Sequence, residues 1–299
     1  ADSYGEASGE LQASLQSAPC LDISVRAGEP VTEWAAKLGG KVLAGNTVRL
    51  RAGAGDVRVM PGFEQGAWWV QGAAAASAAP LALVNAPRSV IDLCAAPGGK
   101  TMQLACALAN TGAGSESDET AVRVTAIDSS ARRARLLRRN LERLKIEDRV
   151  RVKVCDARAL DDEDSVGTAD AVLLDAPCSA TGTLRRHPNI AYQLQPRDVS
   201  RLCALQRELL LAAADMTTPE SGAVLLYVTC SILPAECEDQ VDWFLSENTG
   251  WRRQAITPDE APLAADEALT AQGDLRFLPQ HSAASGGLDG IFVARLVRV

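Results

Sequence analysis

The sequence predicts a doubly wound α/β fold with a mostly parallel sheet, preceded by a small α+β module. From Ser89 onward, short apolar runs alternate with segments of helical period. The apolar runs are mostly continuous, which is typical of parallel strands covered on both faces. Strands and helices that alternate in this way indicate a sheet with helices packed on both sides.

Five strands and four helices follow from the pattern. The predicted strands are residues 90–93, 122–127, 150–154, 171–174 and 223–228. The predicted helices are residues 101–109, 131–144 with Ser129 or Ser130 as N-cap, 199–214 and 236–245. Two acidic insertions rich in small residues, 111–120 and 258–272, are expected to be surface loops without chemistry.

The N-terminal part has a different pattern. Residues 21–26 and 46–51 alternate apolar and polar side chains, and 30–38 between them reads as a helix. These segments predict a strand–helix–strand module. Trp68 and Trp69 are expected to be core residues rather than base-stacking surfaces.

We place a domain boundary near residue 65, because the composition turns Ala-rich after Pro61-Gly62-Phe63. Residues 1–65 would form the small α+β module and residues 66–299 the catalytic domain. The polar start without an initiator Met is expected of a trimmed or processed chain.

Composition narrows the class of protein. With 47% hydrophobic residues in 299, the chain can bury a sizeable core. No run of eighteen apolar residues occurs, so we expect no membrane partner. Eight cysteines without a C-x-x-C pair and only two histidines argue against a disulfide framework and a structural metal. We expect a monomer without metal in a reducing compartment, the cytoplasm, or a mitochondrion or other organelle if the source is eukaryotic.

Charge is unevenly distributed. The net charge of −8 argues against a basic surface all over the protein. One stretch is nevertheless strongly basic, and it is either a solvated helix face or a local nucleic-acid contact. Its members are Arg132, Arg133, Arg135, Arg138, Arg139, Arg143, Lys145, Arg149, Arg151 and Lys153.

Chemistry-bearing residues follow the predicted strands. Ligands of open α/β sheets bind outside the carboxyl ends of the strands. Here those ends carry the loop 94–100, Asp128, Asp156, Asp175 and Cys230. A lone acid at such a place is more often a helix cap or turn residue. Acids and a thiol on successive strand ends indicate a ligand site instead.

The loop 94–100, Cys-Ala-Ala-Pro-Gly-Gly-Lys, lets a ligand approach the backbone and a helix N-terminus. A phosphate-binding loop needs Gly where Cys94 stands, and a dinucleotide fingerprint needs more than Gly98-Gly99. Asp128 could accept hydrogen bonds from ribose hydroxyls, and Asp156 from an adenine amine. Together these features describe an adenosyl site without a pyrophosphate.

Two thiols, Cys178 and Cys230, lie at the same predicted rim. Carbon 5 of cytosine is a poor nucleophile, but addition of a thiolate at carbon 6 produces an enamine that attacks an electrophilic methyl group. Asp175 is the candidate to stabilise that adduct. The other reading of either cysteine is an inert buried thiol, and the residues alone do not rank the two.

Taken together, these motifs resemble the RsmB/Sun-type (Fmu) ribosomal RNA cytosine-C5 methyltransferase family. The segments that carry the resemblance are DLCAAPGGKT at 92–101, DAPCSATG at 175–182, RRHP at 185–188 and TCS at 229–231. The match extends from about Met60 to Phe292. Departures from the family pattern are Gly72, where members often carry an acid, and Ile291, where they carry Phe.

The resemblance implies a Rossmann-like class I S-adenosylmethionine-dependent methyltransferase fold, with S-adenosyl-L-homocysteine as product and no metal. It implies Cys230 as nucleophile and Cys178 as the thiol that assists release. DNA cytosine methyltransferases use a Pro-Cys thiol as nucleophile, so exchanged roles stay open. The implied cofactor-binding residues are Cys94, Ala95, Ala96, Pro97, Gly98, Gly99, Lys100, Asp128, Arg133, Asp156 and Asp175.

The resemblance also implies an RNA partner. Arg185, Arg186 and His187 would hold RNA, or else anchor their loop by local hydrogen bonds. The N-terminal module would also bind RNA. Small-subunit ribosomal RNA is the expected substrate; the alternatives are tRNA or another RNA, or a ribosome-assembly factor with little turnover.

Overall fold

The structure, a computed structural model, describes residues 8–51, 53–110, 123–160, 166–263 and 265–299. The strands within these ranges are β1 (Leu21–Val25), β2 (Lys41–Val42), β3 (Thr47–Leu50), β4 (Trp68–Val70), β5 (Val90–Leu93), β6 (Val124–Ile127), β7 (Val150–Lys153), β8 (Ala171–Asp175), β9 (Val224–Thr229), β10 (Trp251–Arg253), β11 (Leu275–Phe277) and β12 (Ile291–Arg298). The helices are α1 (Ser8–Gln16), α2 (Val31–Lys37), α3 (Ala73–Ala76), α4 (Gly99–Asn110), α5 (Ala131–Leu144), α6 (Ile190–Gln193), α7 (Pro196–Asp215), α8 (Glu238–Glu247) and α9 (Ala265–Ala268).

The larger sheet has the order β10-β12-β9-β8-β5-β6-β7, with β11 paired to β12. β5 to β9 are parallel, and the three C-terminal strands are antiparallel. The chain builds β6 and β7 on one side of β5 before it crosses to β8 and β9 on the other. This order confirms the predicted doubly wound, mostly parallel sheet, and its reversal at β5 places a crevice at the carboxyl ends of β5 and β8.

Helix α5 shows why the sequence pattern was informative. Its buried residues Ala134, Leu137, Leu141 and Leu144 recur every three or four positions and face the sheet. The structure selects Ser130 as N-cap, since its side-chain oxygen accepts a hydrogen bond from the Arg133 N–H. The insertion 111–120 lies outside the described residues.

The smaller sheet has the antiparallel order β2-β3-β1-β4. It contains the predicted strand–helix–strand as β1, α2 and β3. Strand β4 follows residue 65 and pairs with β1, so this sheet continues past the boundary that we place there. Trp68 and Trp69 on β4 are buried, as expected of core residues. The division into two domains stays a prediction.

Both faces of β1 are buried, although its sequence alternates. Alternation is typical of a strand with one face in water, yet Asp22 is 2% and Ser24 1% exposed. Asp22 accepts two hydrogen bonds from Arg49, at 2.7 and 2.8 Å, and one from the Ala73 N–H. The polar side chains of β1 are therefore paired inside the protein rather than solvated.

The prediction of a surface loop for 258–272 was wrong. Ala261, Leu263 and Ala268 of this segment are buried in the core. Glu260 forms an ion pair with Arg295 of β12, whose side chain is 2% exposed. The segment thus covers a buried charge at the antiparallel end of the large sheet. In the described part of the chain, we find no helix with the length and apolarity needed to cross a membrane.

Candidate active site

The carboxyl ends of the parallel strands bring the predicted site residues to one edge of the sheet. Cys94 follows β5, Asp128 follows β6, and Asp175 is the last residue of β8. Cys230 comes directly after β9. Because these strands are parallel neighbours, their carboxyl ends meet, and the structure places the residues together as the sequence predicted.

Two thiols are in contact at this edge. The Sγ atoms of Cys178 and Cys230 are 3.4 Å apart, and both side chains are half-buried. The N–H of Gly182 donates to the Cys230 carbonyl at 2.9 Å, which ties the two loops together. The hydrogen bond to Cys230, burial and the charge of Cys230 raise the pKa of the Cys178 thiol well above its ordinary value. Because its pKa is raised, Cys178 favours the thiol form, which can donate a hydrogen bond to the Cys230 sulfur.

An ion pair lies beside the thiols. Lys100 Nζ is 2.6 Å from Asp175 Oδ2, and the two side chains are 12% and 36% exposed. Burial works against the charged form of Lys100, but the charge and hydrogen bond of Asp175 outweigh it and raise the Lys100 pKa. Because its ammonium is bound to Asp175, Lys100 is not free to hold a phosphate. This geometry counts against a phosphate-binding loop.

The glycine loop is held tightly against its surroundings. Gly98 has φ +105, and a Cβ there would collide with the Leu137 side chain of α5. Asp128 accepts from the Ala96 N–H at 3.1 Å and from the Ser130 N–H at 2.9 Å. Arg133 lies 3.4 Å from Asp128 and also donates to the Ala96 carbonyl. Asp128 and Arg133 therefore fix the backbone of the loop.

Asp92 lies fully buried at the base of this loop. Its Oδ2 accepts from the Thr101 hydroxyl at 2.5 Å. Its Oδ1 is buried without a hydrogen-bond partner among the residues that the structure describes. Burial raises the Asp92 pKa to about 7, although the bond from Thr101 opposes the rise.

Asp156 forms its hydrogen bonds with Arg158 rather than with the glycine loop that Asp128 holds. Both of its oxygens accept hydrogen bonds from Arg158, which also reaches Glu208. These hydrogen bonds lower the Asp156 pKa. A ligand at Asp156 therefore has to share this carboxylate with Arg158.

Arg185, Arg186 and His187 differ in accessibility. The Arg185 side chain is 0% exposed and donates to Asp289 at 3.0 Å, and Arg186 donates to the same carboxylate at 2.7 Å. The geometry of Arg185 fits an anchor of its loop, because a buried guanidinium cannot reach RNA. His187 is exposed. A Cβ at Gly72 would lie 3.0 Å from Asp289 Oδ2, so an acid at position 72 would stand against this cluster.

A cleft of about 400 Å³ opens beside the site. Its lining residues include Phe63, Trp69, Pro97, Lys100 and Asp175. The cleft thus joins the ion pair to the surface, and its volume is in the range that small ligands occupy.

Sequence reasoning missed one buried group behind the thiols. Glu236 is 0% exposed and accepts hydrogen bonds from Ser179 and Ser231, the residues that follow Cys178 and Cys230. We assigned residue 236 to the start of a helix, and no spacing or motif reasoning marked it as part of the site. Only the folded chain brings it there. No cluster of three or more potential metal ligands occurs in the described ranges.

The fold and the strand-end site define an S-adenosylmethionine-dependent methyltransferase of the Rossmann-like class. Two solved structures from Pyrococcus horikoshii share the fold with TM-scores of 0.75. A methyltransferase homologue protein is 22% identical, with 99% of this chain and 92% of that chain covered. NSun6 with SFG is 20% identical, with 98% and 94% covered.

Residues 78–297 match the family described as 16S rRNA methyltransferase RsmB/F, and the chain belongs to this family. Ribosomal RNA small subunit methyltransferase B of Pseudomonas putida is 38% identical over 244 residues, 82% of this chain and 50% of the relative. The protein of the same name from Cronobacter sakazakii is 38% identical over 253 residues, 85% and 52%. The chain thus spans about half the length of these relatives.

Proposed function

We propose that this protein transfers a methyl group from S-adenosylmethionine to carbon 5 of a cytidine in small-subunit ribosomal RNA, through a covalent bond between Cys230 and carbon 6. The observation that carries the proposal is the pair of sulfur atoms, 3.4 Å apart, at the ends of neighbouring strands. A methyltransferase that acts on a nucleophilic atom does not need such a pair, whereas attack on an unactivated pyrimidine carbon requires a thiolate.

The residues present fit the cofactor. Asp156 and Asp175 are 41% and 36% exposed, so their carboxylates can accept from a ribose hydroxyl or an adenine amine, whereas Asp128 is 2% exposed and holds the loop backbone. Gly98 and Gly99 have no side chain, which lets a ligand approach the backbone there. We assign the cofactor to Cys94, Ala95, Ala96, Pro97, Gly98, Gly99, Lys100, Asp128, Arg133, Asp156 and Asp175. When bound, S-adenosylmethionine supplies the electrophilic methyl group.

Residues of this chain supply the nucleophile and the groups that hydrogen-bond the reacting base. Cys230 adds to carbon 6, and carbon 5 becomes electron-rich as a result. Asp175, held by Lys100 at 2.6 Å, accepts a hydrogen bond from the exocyclic amine and, in its protonated form, donates to the ring nitrogen, which becomes more basic when the thiolate adds; the adduct is stabilised in this way. After methylation a water molecule takes the carbon 5 proton, the electrons of that C–H bond re-form the double bond between carbons 5 and 6, and the Cys230 sulfur leaves as a thiolate. The Cys178 thiol donates a hydrogen bond to the departing Cys230 sulfur and so assists release.

RNA has to present the cytosine outside a helix, because carbon 5 and carbon 6 are reached by flipping or splaying the base. The cleft beside Lys100 and Asp175 is the proposed entry. His187 and the partly exposed Arg186 are the proposed RNA contacts of the 185–187 loop, together with exposed arginines of α5. A local basic surface is what an RNA enzyme of net charge −8 requires.

The thiol variants test this function. Cys230→Ala should abolish methylation of 16S ribosomal RNA and leave S-adenosylmethionine binding unchanged. Cys178→Ala should accumulate a protein–RNA adduct that survives denaturation, because release is slowed. Cys20→Ala, a thiol outside the site, is the control and should behave as wild type.

The measurements are methyl transfer from labelled S-adenosylmethionine, calorimetry for the cofactor, and denaturing gels for the adduct. Normal turnover in Cys230→Ala would refute the assignment of the nucleophile. An adduct that forms only in Cys230→Ala would exchange the roles of the thiols. Methylation of tRNA in place of 16S ribosomal RNA would refute the proposed substrate but would still agree with the proposed reaction at carbon 5 of a cytidine.

A further inference from the structure

A buried carboxylate lies behind both thiols and takes no part in the mechanism above. Glu236 belongs to the short turn Pro234–Glu236 and is 0% exposed. A carboxylate is rarely buried so fully unless its oxygens are satisfied by donors. The source of those donors indicates what Glu236 does.

Each thiol-bearing loop supplies donors to Glu236. The Ser179 N–H lies 2.9 Å from Oε1, and the Ser179 hydroxyl donates to Oε2. The Ser231 hydroxyl donates to the same Oε2 at 2.7 Å. Ser179 directly follows Cys178, and Ser231 directly follows Cys230. One carboxylate therefore holds both loops one residue away from the sulfur atoms.

Gln206 of α7 completes the arrangement from the other side. Its Nε2 donates to Glu236 Oε1 at 3.1 Å and to the Pro177 carbonyl at 2.9 Å. Pro177 is the residue before Cys178. The backbone is thus held on both sides of Cys178.

We propose that Glu236 is a positioning residue that clamps the two thiol-bearing loops, so that the sulfur atoms of Cys178 and Cys230 stay in contact. This inference rests on the proposed function, because contact between the thiols matters only if both act on one adduct. The other assignment is a plain structural one, in which Glu236 only stabilises the turn before α8.

The charge of Glu236 agrees with the clamp. The raised pKa of Cys178 has the hydrogen bond to Cys230 and burial as its main causes, and Glu236 adds to them. Glu236 therefore also favours the thiol form of Cys178, the form that donates to the Cys230 sulfur.

Glu236→Gln is the decisive variant, because it keeps the volume and replaces an oxygen that accepts hydrogen bonds by an amide that donates. Glu238→Gln is the matched control, since Glu238 is two residues further on and binds Arg276 rather than the thiol loops. Both variants are compared with wild type for thermal unfolding, S-adenosylmethionine affinity and RNA KM.

Contact between the two thiols can be measured in the absence of methyl transfer, by the rate at which phenylarsine oxide labels the pair. This arsenical bridges two neighbouring thiols and releases water, and Cys178→Ala gives the background from other cysteines. We expect the labelling of the pair and the kcat for methyl transfer to fall roughly 10- to 100-fold in Glu236→Gln, the scale found when a residue that orients a metal ligand is replaced. Cofactor affinity and RNA KM should stay as in Glu238→Gln, while the melting temperature falls below that of Glu238→Gln because buried donors lose their acceptor.

Labelling and kcat equal to those of Glu238→Gln would overturn the clamp. If Glu236→Gln fails to fold, Ser231→Ala, which removes a single donor to the carboxylate, should slow labelling in the same direction, and unchanged labelling there would overturn it. Slow labelling of the variant together with a wild type that methylates no cytidine would support the clamp and refute the proposed reaction. The two proposals therefore fail separately.

Discussion

Replacement of Gly182 by alanine should damage both the stability and the active site. Gly182 donates its N–H to the Cys230 carbonyl at 2.9 Å and accepts from the Gly290 N–H at 2.8 Å. A Cβ at position 182 would lie 2.6 Å from the carbonyl carbon and 2.7 Å from the Cα of Gly290. Only a residue without a side chain allows this approach of the two backbones.

The magnitude follows from the distances. The Gly290 carbonyl oxygen would be nearer still to this Cβ, and ordinary contact begins at 3.4 Å, so one backbone must move by about 1 Å or more. Overpacking of this kind costs about 1–3 kcal/mol, which for a chain of 299 residues corresponds to a melting temperature lower by roughly 2–5 °C. Displacement of the Cys178 loop by about 1 Å should lower the rate of methyl transfer up to about 100-fold.

The assays are urea or thermal unfolding and single-turnover methyl transfer at saturating S-adenosylmethionine. Gly250→Ala is the control, because a Cβ at Gly250 has no atom within 4 Å. It corrects for the loss of backbone freedom in the unfolded state that any Gly→Ala change brings. A Gly182→Ala protein as stable and as fast as Gly250→Ala would refute the argument from close approach.

Two further predictions concern a buried acid and a basic surface. Asp92 has a pKa of about 7 against an ordinary 3.8, so its contribution to stability is present below pH 4 and is lost as the pH rises to 7. The free energy of unfolding of Asp92→Asn relative to wild type should therefore rise by roughly 2–3 kcal/mol between pH 5 and pH 8. If the urea midpoints of the variant and the wild type differ by the same amount at both pH values, this prediction is wrong. Some exposed arginines of α5 have no ion-pair partner among the described residues, and we expect them to bind RNA phosphates. Changing three of them to Gln together should weaken binding to RNA of any sequence and lower the slope of log Kd against log salt concentration by about 2. An unchanged slope would mean that these arginines only form a solvated helix face. These arginines are Arg132, Arg135 and Arg139.

The large sheet was predictable because its signal is local. The predicted strands agree with β5 to β9 within two residues at each end, for the positions that the structure describes. Continuous apolar runs can be read from neighbouring residues alone. Each apolar run also shows which residue ends its strand. In a parallel sheet the carboxyl ends of neighbouring strands lie at the same edge, so the residues that follow the strands are expected to lie close together.

The arginines of the basic stretch have two different roles, and the sequence does not show which arginine has which role. Arg143 donates to the backbone carbonyls of Phe63 and Trp68, and Arg138 to that of Val152. These two side chains connect helix α5 to other elements, although Arg138 is exposed and Arg143 half-buried, whereas Arg132 and Arg135 are exposed and are not used in this way. Composition counts both kinds equally, because the direction of a side chain depends on what packs against the helix.

By itself the sequence determined the parallel sheet, the edge of that sheet at which we propose the ligand site, and the two cysteines on which the proposed chemistry rests. The tertiary structure decided which polar groups are hidden: Asp22 on a strand whose alternation is typical of a solvated face, Arg185 paired with Asp289, and Glu236 behind the thiols. Each of these has its partner far away along the chain. Burial of a polar group depends on that distant partner, and no local pattern of residues contains it.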